Sequence, residues 1–113
     1  MNQLSIVAAF EPCRSLAFGG IGVSYAPIGT PIDHPSRMYF VQNLTDETVW
    51  FSTDGIHDHF PLPAGGFFLF DVCSDKTNQA GALEFPHLMQ LYVKRLGVPT
   101  AGTVYLSTVY GRE

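Results

Sequence analysis

Residues 39–74, YFVQNLTDETVWFSTDGIHDHFPLPAGGFFLFDVCS, decide the fold class of this chain. Three short runs of β-branched and aromatic residues lie between turn signals at 43–46, 54–55 and 63–66. Val, Thr and aromatic residues favour strands, whereas Gly, Pro, Asn and Asp favour turns. The stretch therefore predicts a β-meander in an all-β domain.

The same pattern continues through most of the chain and predicts six or seven strands. After the N-terminal region, the predicted strands are Arg37 to Gln42, Thr48 to Ser52, a short run at 59–62, Phe67 to Cys73, Met89 to Arg95 and Thr103 to Tyr110. The loop at 43–47 has the length of a hairpin connection, and residues 97–102 join the last two strands. We expect a single-domain antiparallel β-sandwich or small barrel.

Residues 1–35 are rich in Gly and Pro and predict an extended N-terminal arm that includes the first strand. Within them, residues 16–25 can form that strand if a bulge occurs at 19–20. Residues 26–35 are predicted as an extended segment that either wraps its own domain or reaches a neighbour. Residues 36–113 then form the sandwich core, and the chain is expected to be one domain overall.

Charged residues make up only 14% of the 113 residues, while hydrophobic residues make up 46%. Soluble domains usually carry charge on about a quarter of their residues, so part of this surface is expected to be covered. We therefore expect a homo-oligomer or a larger assembly rather than an ordinary monomer. The net charge of −4 and the scattered Lys and Arg residues argue against a nucleic-acid partner.

The sequence also bears on the compartment. No segment is long and apolar enough to cross a membrane as a helix, and the N-terminus lacks the basic start of a signal peptide. We expect a protein made in the cytoplasm, with no membrane partner. In that compartment Cys13 and Cys73 are expected to be reduced and to act as small buried side chains.

Neighbouring aromatic residues indicate burial on two faces. In the run Phe67 to Phe70, successive side chains point to opposite faces of a strand, so one face meets the core and the other needs a second partner. Either the strand is central within one domain, or it contributes to a contact between subunits. The candidate interface residues are Phe10, Phe18, Tyr25, Phe67, Phe68 and Phe70.

One short segment brings metal-type ligands together. His57 and His59 share a face on a strand, and Asp54 can reach them across a turn. Two imidazoles and a carboxylate suit zinc or another transition metal. However, the remaining histidines, His34 and His87, are isolated in the sequence. We therefore interpret Asp54 as a turn former, and we expect no metal and no cofactor.

No catalytic motif accompanies these residues. The serines lack the nucleophile-elbow pattern, and neither cysteine lies in a family signature. Residues 19–22 lack the Lys and the following helix of a phosphate-binding loop. We expect a protein that is not an enzyme.

Turn and strand motifs from Arg14 onward give a more specific indication. They lie at residues 14–18, 28–30, 43–46, 54–55, 58–60, 62–65, 91–94, 99–105 and 110–111. In these motifs the chain resembles a group of small tailed-bacteriophage virion proteins. The resemblance implies a structural subunit of the particle, without catalytic residues, assembled in the cytoplasm of the host bacterium.

Composition and resemblance together lead to one expectation. The chain is expected to pack in multiple copies at the head–tail neck or tail interface and to contact itself and other phage virion proteins. A capsid decoration or cement protein is the alternative within the virion. An alternative of another class is a small β-sandwich that binds carbohydrate through exposed aromatic residues such as Trp50 or Tyr25.

Overall fold

The structure, a computed structural model, describes residues 7–34, 38–71 and 89–112. Its strands are β1 (Val7–Phe10), β2 (Arg14–Ala17), β3 (Ala26–Pro27), β4 (Met38–Asn43), β5 (Val49–Ser52), β6 (Phe60–Leu62), β7 (Phe67–Asp71), β8 (Tyr92–Arg95) and β9 (Thr103–Arg112). Within these residues the helical content is one 3₁₀ turn at Phe18–Gly20. The prediction of an all-β fold is confirmed, and Cys73 and His87 lie outside the described residues.

The strands form two antiparallel sheets. The first sheet has the order β1-β9-β4-β7, with β2 also paired to β9, and the second has the order β3-β8-β5-β6. The pairs are nested along the chain: the N-terminal strands pair with β9, β3 with β8, β4 with β7, and β5 with β6. Nested pairs split between two sheets are the strand order of the jelly roll, a form of β-sandwich.

The prediction of a β-meander is wrong, because consecutive strands mostly enter opposite sheets. β4 belongs to the first sheet and β5 to the second, so the loop between them crosses the sandwich instead of closing a hairpin. The loop from β8 to β9 crosses in the same way. A turn signal shows where the chain reverses, but it does not show which sheet receives the next strand.

Asn43 explains how the chain makes the first of these crossings. Its side chain is fully buried, and its amide nitrogen donates to the carbonyl oxygens of Glu47 at 2.8 Å and Leu62 at 3.0 Å. Gly102 lies against the same loop with φ of 99°. A Cβ atom at that position would lie only 2.0 Å from the Leu44 carbonyl oxygen, so the close approach of the two crossing loops requires glycine.

β1 and β2 are two halves of one strand that runs along β9. Between them, Glu11 to Cys13 oppose two residues of β9, which makes a β-bulge. The predicted strand over 16–25, with a bulge at 19–20, is wrong, because the chain leaves the sheet in the 3₁₀ turn at Phe18–Gly20. Cys13 is a free thiol but is exposed, so the expectation that it is buried is also wrong.

The described part of the predicted arm lies on its own domain. The backbone N–H of Ile28 donates to the Leu91 carbonyl at 2.9 Å, and that of Ile32 donates to the Met89 carbonyl at 3.0 Å. Both isoleucine side chains are fully buried. The segment therefore closes the sandwich beside β8.

The hydrophobic core lies between the two sheets. Its strand residues include Tyr39, Val41, Val104 and Leu106 from the first sheet, and Val49, Phe51, Leu62 and Val93 from the second. In β5 the alternation is regular: Val49 and Phe51 are fully buried, and Trp50 between them is half-buried on the outer face of the second sheet. Trp50 is therefore not a core residue.

Candidate functional site

The outer face of the first sheet is apolar. The strand register places six large apolar side chains there, which we call the apolar face: Phe10, Met38, Phe40, Phe67, Leu69 and Val109. Phe10, Phe67 and Leu69 expose 74%, 65% and 52% of their surface. Such an exposed cluster on one side of a sheet marks a surface that is normally covered.

The apolar face exists because two strands are apolar on both sides. In β4, alternate residues enter the core while Met38 and Phe40 point outwards. In β7, Phe68 packs against the core while Phe67 and Leu69 point outwards. The rings of Phe40 and Phe67 meet edge to face, with centroids 5.8 Å apart and planes at 62°. Strands of this kind are usual where a sheet is covered on both faces.

The apolar face holds a shallow depression of about 300 Å³, lined by Phe10, Met38, Phe40, Leu69, Ser107 and Val109. Among the polar residues that point outwards from the described strands, Ser15, Gln42, Tyr105 and Ser107 are uncharged. Asp71, at the end of β7, is the charged residue at the border. A partner can therefore cover most of this surface without removing a formal charge from water.

The structure separates the phenylalanines that the sequence nominated as interface residues. Phe10 and Phe67 lie in the apolar face. Phe68 points to the interior and packs against the core, and Phe70, on the same side of β7, lines a cleft between the sheets. Phe18 lies in the 3₁₀ turn and is 38% exposed.

Met38, Phe40, Leu69 and Val109 are members of the apolar face that the sequence did not nominate. For Met38 and Phe40 the signal was readable, because Met38–Asn43 has apolar residues in both alternating sets. Val109 offered no such signal, since its place beside Phe10 depends on the pairing of the two ends of the chain.

The outer face of the second sheet carries charges instead. The Tyr25 hydroxyl donates to Asp58 Oδ1 at 2.5 Å, and Lys94 Nζ lies 2.9 Å from the same oxygen and 4.9 Å from the centre of the Tyr25 ring. Trp50 is the cross-strand neighbour of Lys94. We call Tyr25, Trp50, Asp58 and Lys94 the ion-paired face. Burial and the bond to Asp58 raise the pKa of Tyr25, and the contacts with Tyr25 and Lys94 lower the pKa of Asp58.

A cleft of about 230 Å³ opens between the two sheets and is lined by Tyr39, Thr53, His59, Phe60, Phe68 and Phe70. Aromatic rings form much of its wall: the Phe60 ring lies 4.8 Å from the Phe68 ring in a tilted arrangement and stacks, at 5.2 Å, on the core ring of Phe51, centroid to centroid. These rings continue the core, so the cleft is the open edge of the sandwich.

A buried ion cluster lies beneath the bulge of the first sheet. The Glu11 carboxylate, 2% exposed, lies 2.9 Å from Arg14 Nη2 and 2.8 Å from His34 Nδ1. It also accepts the backbone N–H of Asp33 at 3.1 Å. Burial opposes the ionisation of Glu11, but the hydrogen bonds from Asp33, His34 and Arg14 outweigh it and lower the Glu11 pKa. Arg14 also donates to the Thr30 carbonyl at 2.6 Å, so the cluster fixes the N-terminal segment to the sheet.

The loop between β5 and β6 brings Asp54, His57 and His59 together, with ligand atoms that all lie within 4.8 Å of one another. The expected role of Asp54 as a turn former agrees with its Oδ1 atom, which accepts the backbone N–H groups of Ile56 and His57. The His57 side chain and these backbone bonds lower the pKa of Asp54, and Asp54 in turn raises the pKa of His57.

Comparison of the chain with models of protein families, with curated proteins and with solved structures finds no match. The described residues contain no helix with the length and hydropathy that a membrane span requires.

Proposed function

We propose that this chain is a structural, non-enzymatic subunit of a tailed-bacteriophage virion. It packs in multiple copies at the head–tail neck or the tail interface, and it contacts other copies of itself and other virion proteins. The observation that carries this proposal is the apolar face of the first sheet. The resemblance of the turn and strand motifs to small virion proteins is the reason to propose a phage particle as the assembly.

The energetics favour a covered surface. Burying one large apolar side chain that was exposed contributes about 1.5–3 kcal/mol, and Phe10, Phe67 and Leu69 are each more than half exposed. The depression beside Phe10 and Leu69 has room for an apolar side chain of a partner. A second copy is a suitable partner, because chains of net charge −4 can meet through this face with little charge repulsion.

The fold is compatible with this role but does not decide it. Jelly rolls occur in viral capsid proteins and also in lectins, and one fold serves many functions. The carbohydrate-binding alternative needs an exposed aromatic platform with available polar groups. Trp50 is only half-buried, which keeps that alternative open, but the polar groups of Tyr25, Asp58 and Lys94 are already bonded to one another.

Sedimentation velocity over a range of protein concentrations tests the proposal. We expect the wild-type chain to self-associate, and Phe67→Lys to weaken that association at least about tenfold, because it places a charge in the contact. Val98→Lys is the matched control: Val98 is 66% exposed, against 65% for Phe67, and lies outside the apolar face. It should leave association unchanged.

Mass spectrometry and labelled electron micrographs of purified particles complete the test, and labelling at the capsid surface would favour the decoration role over the neck or tail. A wild-type chain that stays monomeric at high concentration and is absent from purified particles would contradict the proposal.

A further inference from the structure

The loop between β5 and β6 places three side chains with metal-binding atoms around one point. Asp54 Oδ2 lies 2.7 Å from His57 Nδ1 and 3.9 Å from His59 Nε2. All three residues are exposed, so a cation reaches them directly from solvent. Sequence spacing predicted that the two histidines share a face and that Asp54 can reach them across a turn, and the structure places the carboxylate beside both imidazoles.

The carboxylate is oriented by the loop itself. Asp54 Oδ1 accepts hydrogen bonds from the Ser52 hydroxyl at 2.7 Å and from the backbone N–H groups of Ile56 at 2.8 Å and His57 at 2.9 Å. Gly55, with φ of 77°, permits the tight turn that these bonds need. Because Oδ1 receives all three donors, Oδ2 is directed at the imidazoles.

The imidazole of His59 is oriented as well. Its Nδ1 atom accepts the backbone N–H of Thr53 at 3.0 Å and lies 3.2 Å from the Thr53 hydroxyl. These contacts turn Nε2 towards Asp54. The rings of His57 and His59 are 6.3 Å apart and within 26° of parallel. A metal-binding histidine normally donates its other ring N–H to an oxygen acceptor, and the Thr53 hydroxyl lies close enough to His59 Nδ1 to take that role.

We propose that Asp54, His57 and His59 bind one divalent transition-metal ion of the Zn²⁺ type. Two imidazoles and a carboxylate suit such ions, whereas Mg²⁺ and Ca²⁺ prefer sites made of oxygen ligands alone. A tetrahedral ion with bonds of about 2.1 Å separates its ligands by about 3.4 Å. The present separations of 2.7 and 3.9 Å lie on either side of that value, so small rotations complete the site, and water takes the fourth position.

Binding exchanges protons for the metal ion. The ion replaces the proton shared by Asp54 Oδ2 and His57 Nδ1, and this proton leaves to solvent. For His59 to bind the ion through Nε2, its ring proton moves from Nε2 to Nδ1. Nδ1 then gives up the hydrogen bond from the Thr53 backbone N–H and donates instead to the Thr53 hydroxyl, which lies 3.2 Å away.

The test is a titration of the full chain with Zn²⁺ in competition with a coloured chelator. We expect one ion per chain, and an affinity at least about tenfold lower in the double variant His57→Ala/His59→Ala. Asp58→Asn is the matched control, because it removes a charge from the same loop and keeps all three ligands. It should change the affinity by less than about fivefold.

A second measurement uses the wild-type chain alone and does not depend on how the variants fold. In NMR spectra, Zn²⁺ should shift the imidazole resonances of His57 and His59 before those of His34. The proposal is overturned if the wild-type chain does not compete for Zn²⁺, if the double variant binds it equally well, or if His57 and His59 do not respond. The apolar face plays no part in this test, so its outcome is independent of the assembly role.

Discussion

The two sheets of this sandwich differ in where their charged side chains lie. On the first sheet, Glu11 and Arg14 pair in the interior, while Phe67 and its apolar neighbours face outwards. On the second sheet, Asp58 and Lys94 pair at the surface. Charged groups lose hydration when buried and apolar groups gain from burial, so only the second arrangement suits a face that meets water. The contrast is consistent with the proposal that the first sheet meets a partner.

The largest effect on stability is expected in β5, where one residue points into the core and its neighbour lies on the ion-paired face. Phe51 is fully buried and stacks on Phe60, so Phe51→Ala should lower the free energy of unfolding by about 3–5 kcal/mol. Trp50→Ala removes a half-buried ring and should cost about 1–2 kcal/mol. Urea denaturation followed by circular dichroism measures both. Equal losses would show that Trp50 belongs to the core.

From β4 onward the positions of the strands could be predicted from the sequence, but their pairing could not, and the strands of the N-terminal region were not found. Runs such as Val49 to Ser52 and Thr103 to Tyr110 are local patterns, and local propensity was sufficient to find them. The crossing of the chain between sheets depends on contacts between distant residues. The Asn43 side chain, for example, donates a hydrogen bond to the Leu62 carbonyl across the sandwich, and no local sequence pattern predicts that hydrogen bond.

In the candidate site, too, local features could be predicted from the sequence and long-range features could not. The exposed position of Phe67 follows from alternation in an apolar run, which is a local property. The burial of Phe68 and the exposure of Phe67 differ only through the side of β7 that meets the core, and this is set by the register with β4. Tyr25 was nominated with them, but the structure places it against Asp58 on the opposite side of the sandwich.

The next effect tests whether the charges of the first sheet are truly interior. Glu11→Gln keeps the shape of the side chain but leaves the buried Arg14 without its counter-charge. We expect a loss of about 3 kcal/mol of unfolding free energy at neutral pH. A loss no greater than that of an exposed ion pair would remove the contrast between the two sheets.

The same variant tests how the contribution of Glu11 to stability depends on pH. The Glu11 pKa is lowered in the folded chain, so its stabilising contribution is present above the unfolded value of about 4.3 and is lost as the pH falls through the folded pKa. The difference in stability between the wild-type chain and Glu11→Gln should therefore be largest near neutral pH and should shrink below about pH 4. Denaturation curves at pH 7 and pH 3 measure it. A difference that does not change with pH would show that Glu11 acts through its shape and not its charge.

The smallest effect is expected on the ion-paired face. Asp58→Asn removes the partner of Lys94 and weakens the acceptor of the Tyr25 hydroxyl, but these groups are in contact with water, so the melting temperature should fall only slightly. In 1 M salt the screening length is only about 3 Å, so the difference from wild type should nearly vanish, while the effect of Glu11→Gln should persist because its charges are buried. Calorimetry at low and high salt compares the two variants. A large, salt-independent loss for Asp58→Asn would mean that the second sheet also depends on a desolvated ion pair, and the apolar face would then be the only feature that distinguishes the two sides of the sandwich.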